Sequence, residues 1–285
     1  MHIARRQFLM GSAAGLAGAA LAPGWLMAEA AAGRIRIGGR HFAGDFAAAK
    51  RAGIEGVEVG VGGAADTLQI ADPAVRQKYK DQMKATGVVV SSLSLDLLNG
   101  CPLFSHPQAP AWVEQSIDAA HDLGADGMLL PFFGGAHLLR GKEFRKDALD
   151  ALIGRLKELA PKARTAGVRL GIECTLSSRQ YLELLDGVGS DAVGAYYDIG
   201  NSTGAGLDVP ADLRALKGRL SMIHFKDGGN YLGEGKVQME PVAEALRAIA
   251  YQGWIVLETA CPSKNVEADC RRNADFTRKI LGLAA

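Results

Sequence analysis

From residue 34 onward, short apolar runs alternate with longer segments in which apolar residues recur every three or four positions. The short runs fall at 34–38, 56–60, 88–95, 127–132, 168–173, 193–198, 219–225 and 254–258. Several are apolar almost throughout, which predicts strands buried on both faces, as in a parallel sheet. The longer segments predict helices at 45–52, 73–85, 111–123, 145–166, 178–185, 210–216, 240–250 and 266–281. Asp72-Pro73 supplies an N-cap and a proline at the first helical position, Gly53, Gly87, Gly124 and Gly167 stand at helix ends, and Pro161 predicts a bend. Gly134-Gly135 opens a long loop through His137 and Lys142. Strand–helix alternation with connections too long for hairpins predicts one α/β domain, a (β/α)8 TIM barrel over 34–285. A doubly wound open sheet would want a GxGxxG turn after its first strand, and Gly38-Gly39-Arg40-His41 does not supply one.

Polar residues are not scattered along this pattern. The run ending Ile223-His224-Phe225-Lys226 breaks into Asp227-Gly228-Gly229, so His224 and Lys226 stand where a strand passes into a glycine-rich loop. Glu173, Asp198 and Glu258 close three other strands in the same way. Their separations of about 25 to 34 residues match one strand-plus-helix unit each. Side chains at the carboxyl ends of successive parallel strands meet on one rim. Two Glu, one Asp and one His there form a hard, oxygen-rich ligand set for one divalent cation, Mn2+ by preference, with Mg2+, Co2+ or Zn2+ as alternatives. Three carboxylates so close would repel one another without it. Such a cation, bound to a carbonyl and its neighbouring hydroxyl, acidifies the hydrogen between them; Glu173 and Glu258 could then move that proton through a metal-bound enediolate. Return to the opposite face is epimerisation, return to the adjacent carbon is isomerisation, and expulsion of a β-leaving group makes a lyase. Lys226, Asn201, Glu58 at the end of the second strand and Glu234 between two glycines are candidate substrate-binding residues. His41 and His137 fall on rim loops, and Phe132-Phe133 with Trp254 reads as core packing or a sugar-stacking wall.

The motifs Ile172-Glu173, Tyr197-Asp198-Ile199-Gly200-Asn201, His224-Phe225-Lys226-Asp227, Leu232-Gly233-Glu234-Gly235 and Leu257-Glu258 make the chain resemble the sugar phosphate isomerase/epimerase family of xylose isomerase-like TIM barrels. The resemblance implies that Glu173, Asp198, His224 and Glu258 bind the metal and that the two Glu carry the proton. Asn201, Arg179 and Asn230 stand where ketose epimerases of that family carry His, Glu and Arg that touch sugar. The segments 173–178 and 197–202 look more like exported relatives used on 3-keto-glycosides, which makes a lyase or hydratase on such sugars the alternative activity. Abasic-site endonucleases of related fold carry many metal-binding His, whereas this chain has 6 His and only His224 at a ligand position. A non-catalytic sugar-binding protein on the same fold is the remaining alternative.

Composition changes this picture at two points. Residues 1–30 open with Arg5-Arg6 and a Gly/Ala-rich apolar segment ending in Ala28-Glu29-Ala30, the pattern of a cleavable twin-arginine (Tat) signal peptide. It predicts a folded protein passed by the Tat export machinery to the periplasm, without a permanent membrane anchor. Without that segment 30 basic residues face 30 acidic ones, so no overall field draws in nucleic acid. The expected partner is a small carbohydrate; self-association into a homo-oligomer is compatible with the fold. Cys101, Cys174, Cys261 and Cys270 form no CxxC pair, and Cys261 with Cys270 is a candidate disulfide in an oxidising compartment.

Overall fold

The computed structural model describes residues 34–283, so the predicted signal segment lies outside the described residues. Eight parallel strands close into a barrel in chain order: β1 (Ile35–Gly39), β2 (Gly56–Gly60), β3 (Val89–Ser94), β4 (Gly127–Pro131), β5 (Arg169–Glu173), β6 (Val193–Asp198), β7 (Leu220–Phe225) and β8 (Gly253–Leu257). Pairing of β1 with β8, from Ile35 opposite Gly253 to Gly39 opposite Leu257, shuts the ring and leaves no free edge. Outside it run α1 (Phe46–Arg51), α2 (Pro73–Thr86), α3 (Ala109–Leu123), α4 (Lys146–Ala166), α5 (Ser178–Val188), α6 (Ile199–Gly204), α7 (Val209–Leu216), α8 (Met239–Ala248) and α9 (Val266–Leu281).

The sequence pattern builds these elements directly. Asp72 accepts a hydrogen bond from Ala74 N at the start of α2, and Gly87 closes that helix in the left-handed conformation. Helix α4 continues through Pro161, which ends neither the helix nor its buried face. Two elements were not expected. Asp198 caps α6 by accepting from Asn201 N at 2.8 Å, so a segment with two glycines that reads as loop is helical. The long loop after β4 contains a short hairpin, Leu139–Arg140 against Glu143–Phe144.

Apolar side chains divide into two layers. The larger lies between sheet and helices; the smaller, inside the barrel, comprises Leu129, Tyr196, Met222, Trp254 and Val256. Gly56 makes room for the largest of these, since a Cβ there would fall 2.5 Å from the Trp254 ring. At the amino end of the barrel the Arg36 guanidinium lies 4.1 Å from the Trp254 ring centre, and the indole N–H donates to Asp126 at 2.5 Å. Trp254 is therefore a floor of the barrel and not a sugar-stacking wall, and Phe132 is fully buried. The inside of the barrel is filled from below, which leaves its polar side chains to the opposite rim.

Candidate active site at the carboxyl rim

Glu173 and Asp198 are the last residues of β5 and β6, His224 is the penultimate residue of β7, and Glu258 directly follows β8. Asp198 pairs in register with His224, and Glu258 N donates to Phe225 O at 3.1 Å, so strand pairing fixes the heights of these side chains. Each of the four offers a ligand atom, and those atoms all lie within 4.8 Å of one another. His224 Nδ1 is 3.1 Å from Glu173 Oε1 and 3.3 Å from Glu258 Oε2. Glu173, Asp198 and His224 are buried, while Glu258 is partly open to solvent. The four residues expected to converge do converge.

Glu58 reaches the cluster from beneath, not from the mouth. Its Oε1 is 3.3 Å from His224 Nε2, and its Oε2 accepts from Tyr196 OH and Ser92 Oγ, both at 2.7 Å. Only 2% of the residue is exposed. Glu58 was expected to bind substrate; its oxygens are engaged below the imidazole, where they orient the ring. Burial alone would raise the Glu58 pKa, but His224 foremost, then Arg40 and the Tyr196 hydroxyl, hold it down at about 2. Burial alone would likewise depress His224, yet the Glu58 and Glu173 carboxylates outweigh it and keep the ring protonated well above its usual range. Burial, with Asp198 and Glu258 nearby, pushes Glu173 up to about 7 against the pull of His224.

Arg40, from the loop after β1, holds the other side of the cluster. Its Nη1 donates to Glu258 Oε1 at 2.7 Å, its Nε lies 3.3 Å from Glu58 Oε1, and it also binds Asp96 and Ser94. Sequence reasoning missed this residue, although the rule that singled out Glu173, Asp198, His224 and Glu258, a charged side chain at a strand's carboxyl end, applies to β1 as well. Lys226 completes the rim: its Nζ is 2.7 Å from Glu258 Oε2, 3.1 Å from Asp198 Oδ2 and 3.4 Å from Asn201 Oδ1. Glu258 is held below its ordinary pKa because His224, Lys226 and Arg40 together overcome its burial. Gly200 permits the Lys226 position, since a Cβ there would fall 2.2 Å from Lys226 Cγ.

The glycine-rich loop after β7 is organised by Asp227, which accepts from Gly233 N (3.1 Å), Gly235 N (2.9 Å) and Val237 N (3.0 Å). Glu234, expected to contact substrate, does not join the cluster: it is exposed and pairs with Arg272 of α9. His137 sits on the loop after β4, where Arg145 binds its carbonyl at 3.0 Å. All four cysteines are free thiols.

The donor set fits a divalent cation. Asp198 Oδ2 is buried and receives no hydrogen bond, although the Lys226 ammonium lies beside it. Three carboxylates and an imidazole face one point, with the Lys226 and Arg40 cations at its edge. A cation at that point would replace the imidazole proton, because a ligating His must be neutral. Oxygen donors dominate, which suits Mn2+, Mg2+ or Co2+.

A family model described as xylose isomerase-like TIM barrel matches residues 46–280. The chain belongs to that family. Solved structures of similar fold include an L-ribulose 3-epimerase (20% identity, TM-score 0.73, 87% of this chain and 95% of that one). Others are the 3-keto-D-glucoside 4-epimerase of E. coli (17%, 0.71, 86% and 100%) and a D-allulose 3-epimerase from Methylomonas sp. in complex with D-allulose (17%, 0.68, 86% and 97%). At these identities the likeness shows the fold. No match is found among curated proteins. Among the described residues, no helix is long and apolar enough to cross a membrane.

Proposed function

We propose that the chain is a divalent-metal-dependent sugar epimerase or isomerase, with Mn2+ as the favoured ion. The observation that carries this reading is two glutamates, Glu173 and Glu258, entering one buried cluster from strands separated by two others, each within 3.3 Å of the same imidazole nitrogen. When bound by Glu173, Asp198, His224 and Glu258, the cation would supply Lewis-acid polarisation of a carbonyl and its adjacent hydroxyl. Glu258, flanked by Lys226 and Arg40, is an ionised base at the open side of the cluster and takes the proton from the carbon between those oxygens. Glu173, buried on the other side, delivers a proton to the opposite face, and the carbon leaves inverted. If Glu258 instead returns its proton to the neighbouring carbon, the product is the aldose–ketose isomer. The half-buried Lys226 and Asn201 at the mouth are placed to hydrogen-bond sugar hydroxyls.

The names of the similar structures support a ketose or 3-keto-glycoside as substrate. The twin-arginine segment supports export to the periplasm. Metal-loaded protein incubated in heavy water with free, phosphorylated and 3-oxo sugars is expected to incorporate deuterium at one carbon, read by NMR and mass spectrometry. Glu258→Gln is expected to abolish this. Exchange unchanged in that variant would refute the assignment, and a product lighter by water or an aglycone would replace it with the lyase reading.

A further inference from the structure

A second group of coordinating side chains lies on the same rim, outside the cluster described above. His41 follows the end of β1, Cys261 lies in the loop between β8 and α9, and Cys270 is on α9. Barrel closure makes β1 and β8 neighbours, so residues some 220 positions apart meet. Each offers one ligand atom, all within 4.8 Å of one another, with Cys261 Sγ 4.0 Å from His41 Nε2. We propose that His41, Cys261 and Cys270 form a second metal site that takes a soft divalent cation such as Zn2+.

Two sulfurs and one imidazole nitrogen are the donors of zinc sites, and they differ in kind from the oxygen-rich set at the barrel mouth. The loop that carries Cys261 is held in place by its own hydrogen bonds. Lys264 N donates to Cys261 O at 3.0 Å across a tight turn in which Lys264 itself adopts φ 64°, a strained conformation for a side-chain-bearing residue. Asp269, adjacent to Cys270, clamps the same loop by accepting from Ser263 N at 3.0 Å and Ser263 Oγ at 2.6 Å. His41 Nε2 donates to Thr259 O at 2.7 Å, a bond that the ring gives up if that nitrogen takes the ion. Cys270 is fully buried, Cys261 is half-buried and His41 is exposed, so the site has a closed floor and an entry path. Burial pushes the Cys270 thiol up to about 12 and raises Cys261 as well, so an ion binding there has both protons to displace. Filling the site would tie β1, the β8–α9 loop and α9 together beside Thr259, the residue after Glu258.

The test is metal analysis of the full chain equilibrated with Zn2+ alone and then dialysed, for the unchanged protein, His41→Ala and Cys261→Ser. Each variant is expected to hold one Zn2+ fewer per chain. Co2+ substitution should give a thiolate-to-cobalt charge-transfer band in the unchanged protein and none in Cys261→Ser. Mn2+ occupancy should be the same in all three, which separates this site from the catalytic cluster. Equal Zn2+ content in all three proteins, absence of the cobalt band, or thiol counts showing a Cys261–Cys270 disulfide in protein that has never met reductant would overturn the proposal. His41 is exposed, so its replacement reports even if the cysteine variant folds poorly.

Discussion

Replacing Glu58 separates a residue that orients a ligand from one that binds sugar. Its carboxylate faces His224 Nε2 at 3.3 Å, Tyr196 OH at 2.7 Å and Ser92 Oγ at 2.7 Å, with Arg40 alongside. Glu58→Gln keeps shape and one acceptor, and both hydroxyls can rotate to accept from the new amide. The fold should therefore survive. What is lost is the negative charge that fixes the ring and strengthens it as a ligand. Partners of this kind typically contribute about 10- to 100-fold in metal affinity, or roughly 1.4 to 2.8 kcal/mol. Glu58→Ala is harsher, because it leaves an imidazole N–H and two buried hydroxyls without their acceptor. At roughly 1 to 3 kcal/mol for each such group, a loss of at least about 3 kcal/mol of stability is expected.

The assay is Mn2+ titration followed by electron paramagnetic resonance, together with denaturant unfolding of the same three proteins. Weakened Mn2+ binding in Glu58→Gln at nearly unchanged stability is the expected result. Unchanged Mn2+ affinity with a raised KM for sugar would refute the reasoning and restore Glu58 to the substrate.

Three further substitutions follow from the rim. Gly200→Ala gains about 1 kcal/mol of helix propensity, but its Cβ would fall 2.2 Å from Lys226 Cγ and 2.8 Å from Lys226 O. Overpacking costs about 1 to 3 kcal/mol, so a lower unfolding midpoint and weaker turnover are expected; a higher midpoint would show that Lys226 moves freely. Asp227→Ala removes one acceptor from three backbone N–H groups, and hydrogen exchange should quicken at Gly233, Gly235 and Val237 while the barrel strands stay protected. Arg40→Lys keeps a charge but cannot reach Glu58, Asp96 and Glu258 together. Turnover is expected to fall by up to about 100-fold through misplacement of Glu258, with Mn2+ still bound; full activity would remove Arg40 from the account.

The barrel and the convergence of Glu173, Asp198, His224 and Glu258 were legible for one reason. Apolar runs marked the strands, and a coordinating residue at the end of a buried strand has only the rim to go to. What the sequence could not convey was direction. Glu58 is the third of the five residues of β2, not its last, so it sits lower in the barrel than Glu173, bonded to Tyr196 and Ser92 under His224. Glu234 is flanked by glycines that free its backbone, and pairing with Arg272, distant in sequence, takes it outward. Arg40 was hidden because Gly38 and Gly39 weaken the apolar signal of β1 and because arginine is not a metal ligand. Helix α6 was hidden because its glycines mask a cap supplied by Asp198, a residue read for another role. Cys261 and Cys270 were paired in the sequence, but only closure of β1 onto β8 brings His41 to them.

The claim that Glu173, Asp198, His224 and Glu258 hold one cation is tested most directly by counting bound Mn2+ in the unchanged protein and in His224→Ala. One tightly held Mn2+ per chain in the first and a severe loss in the second is the predicted result. Equal occupancy in both proteins would contradict it.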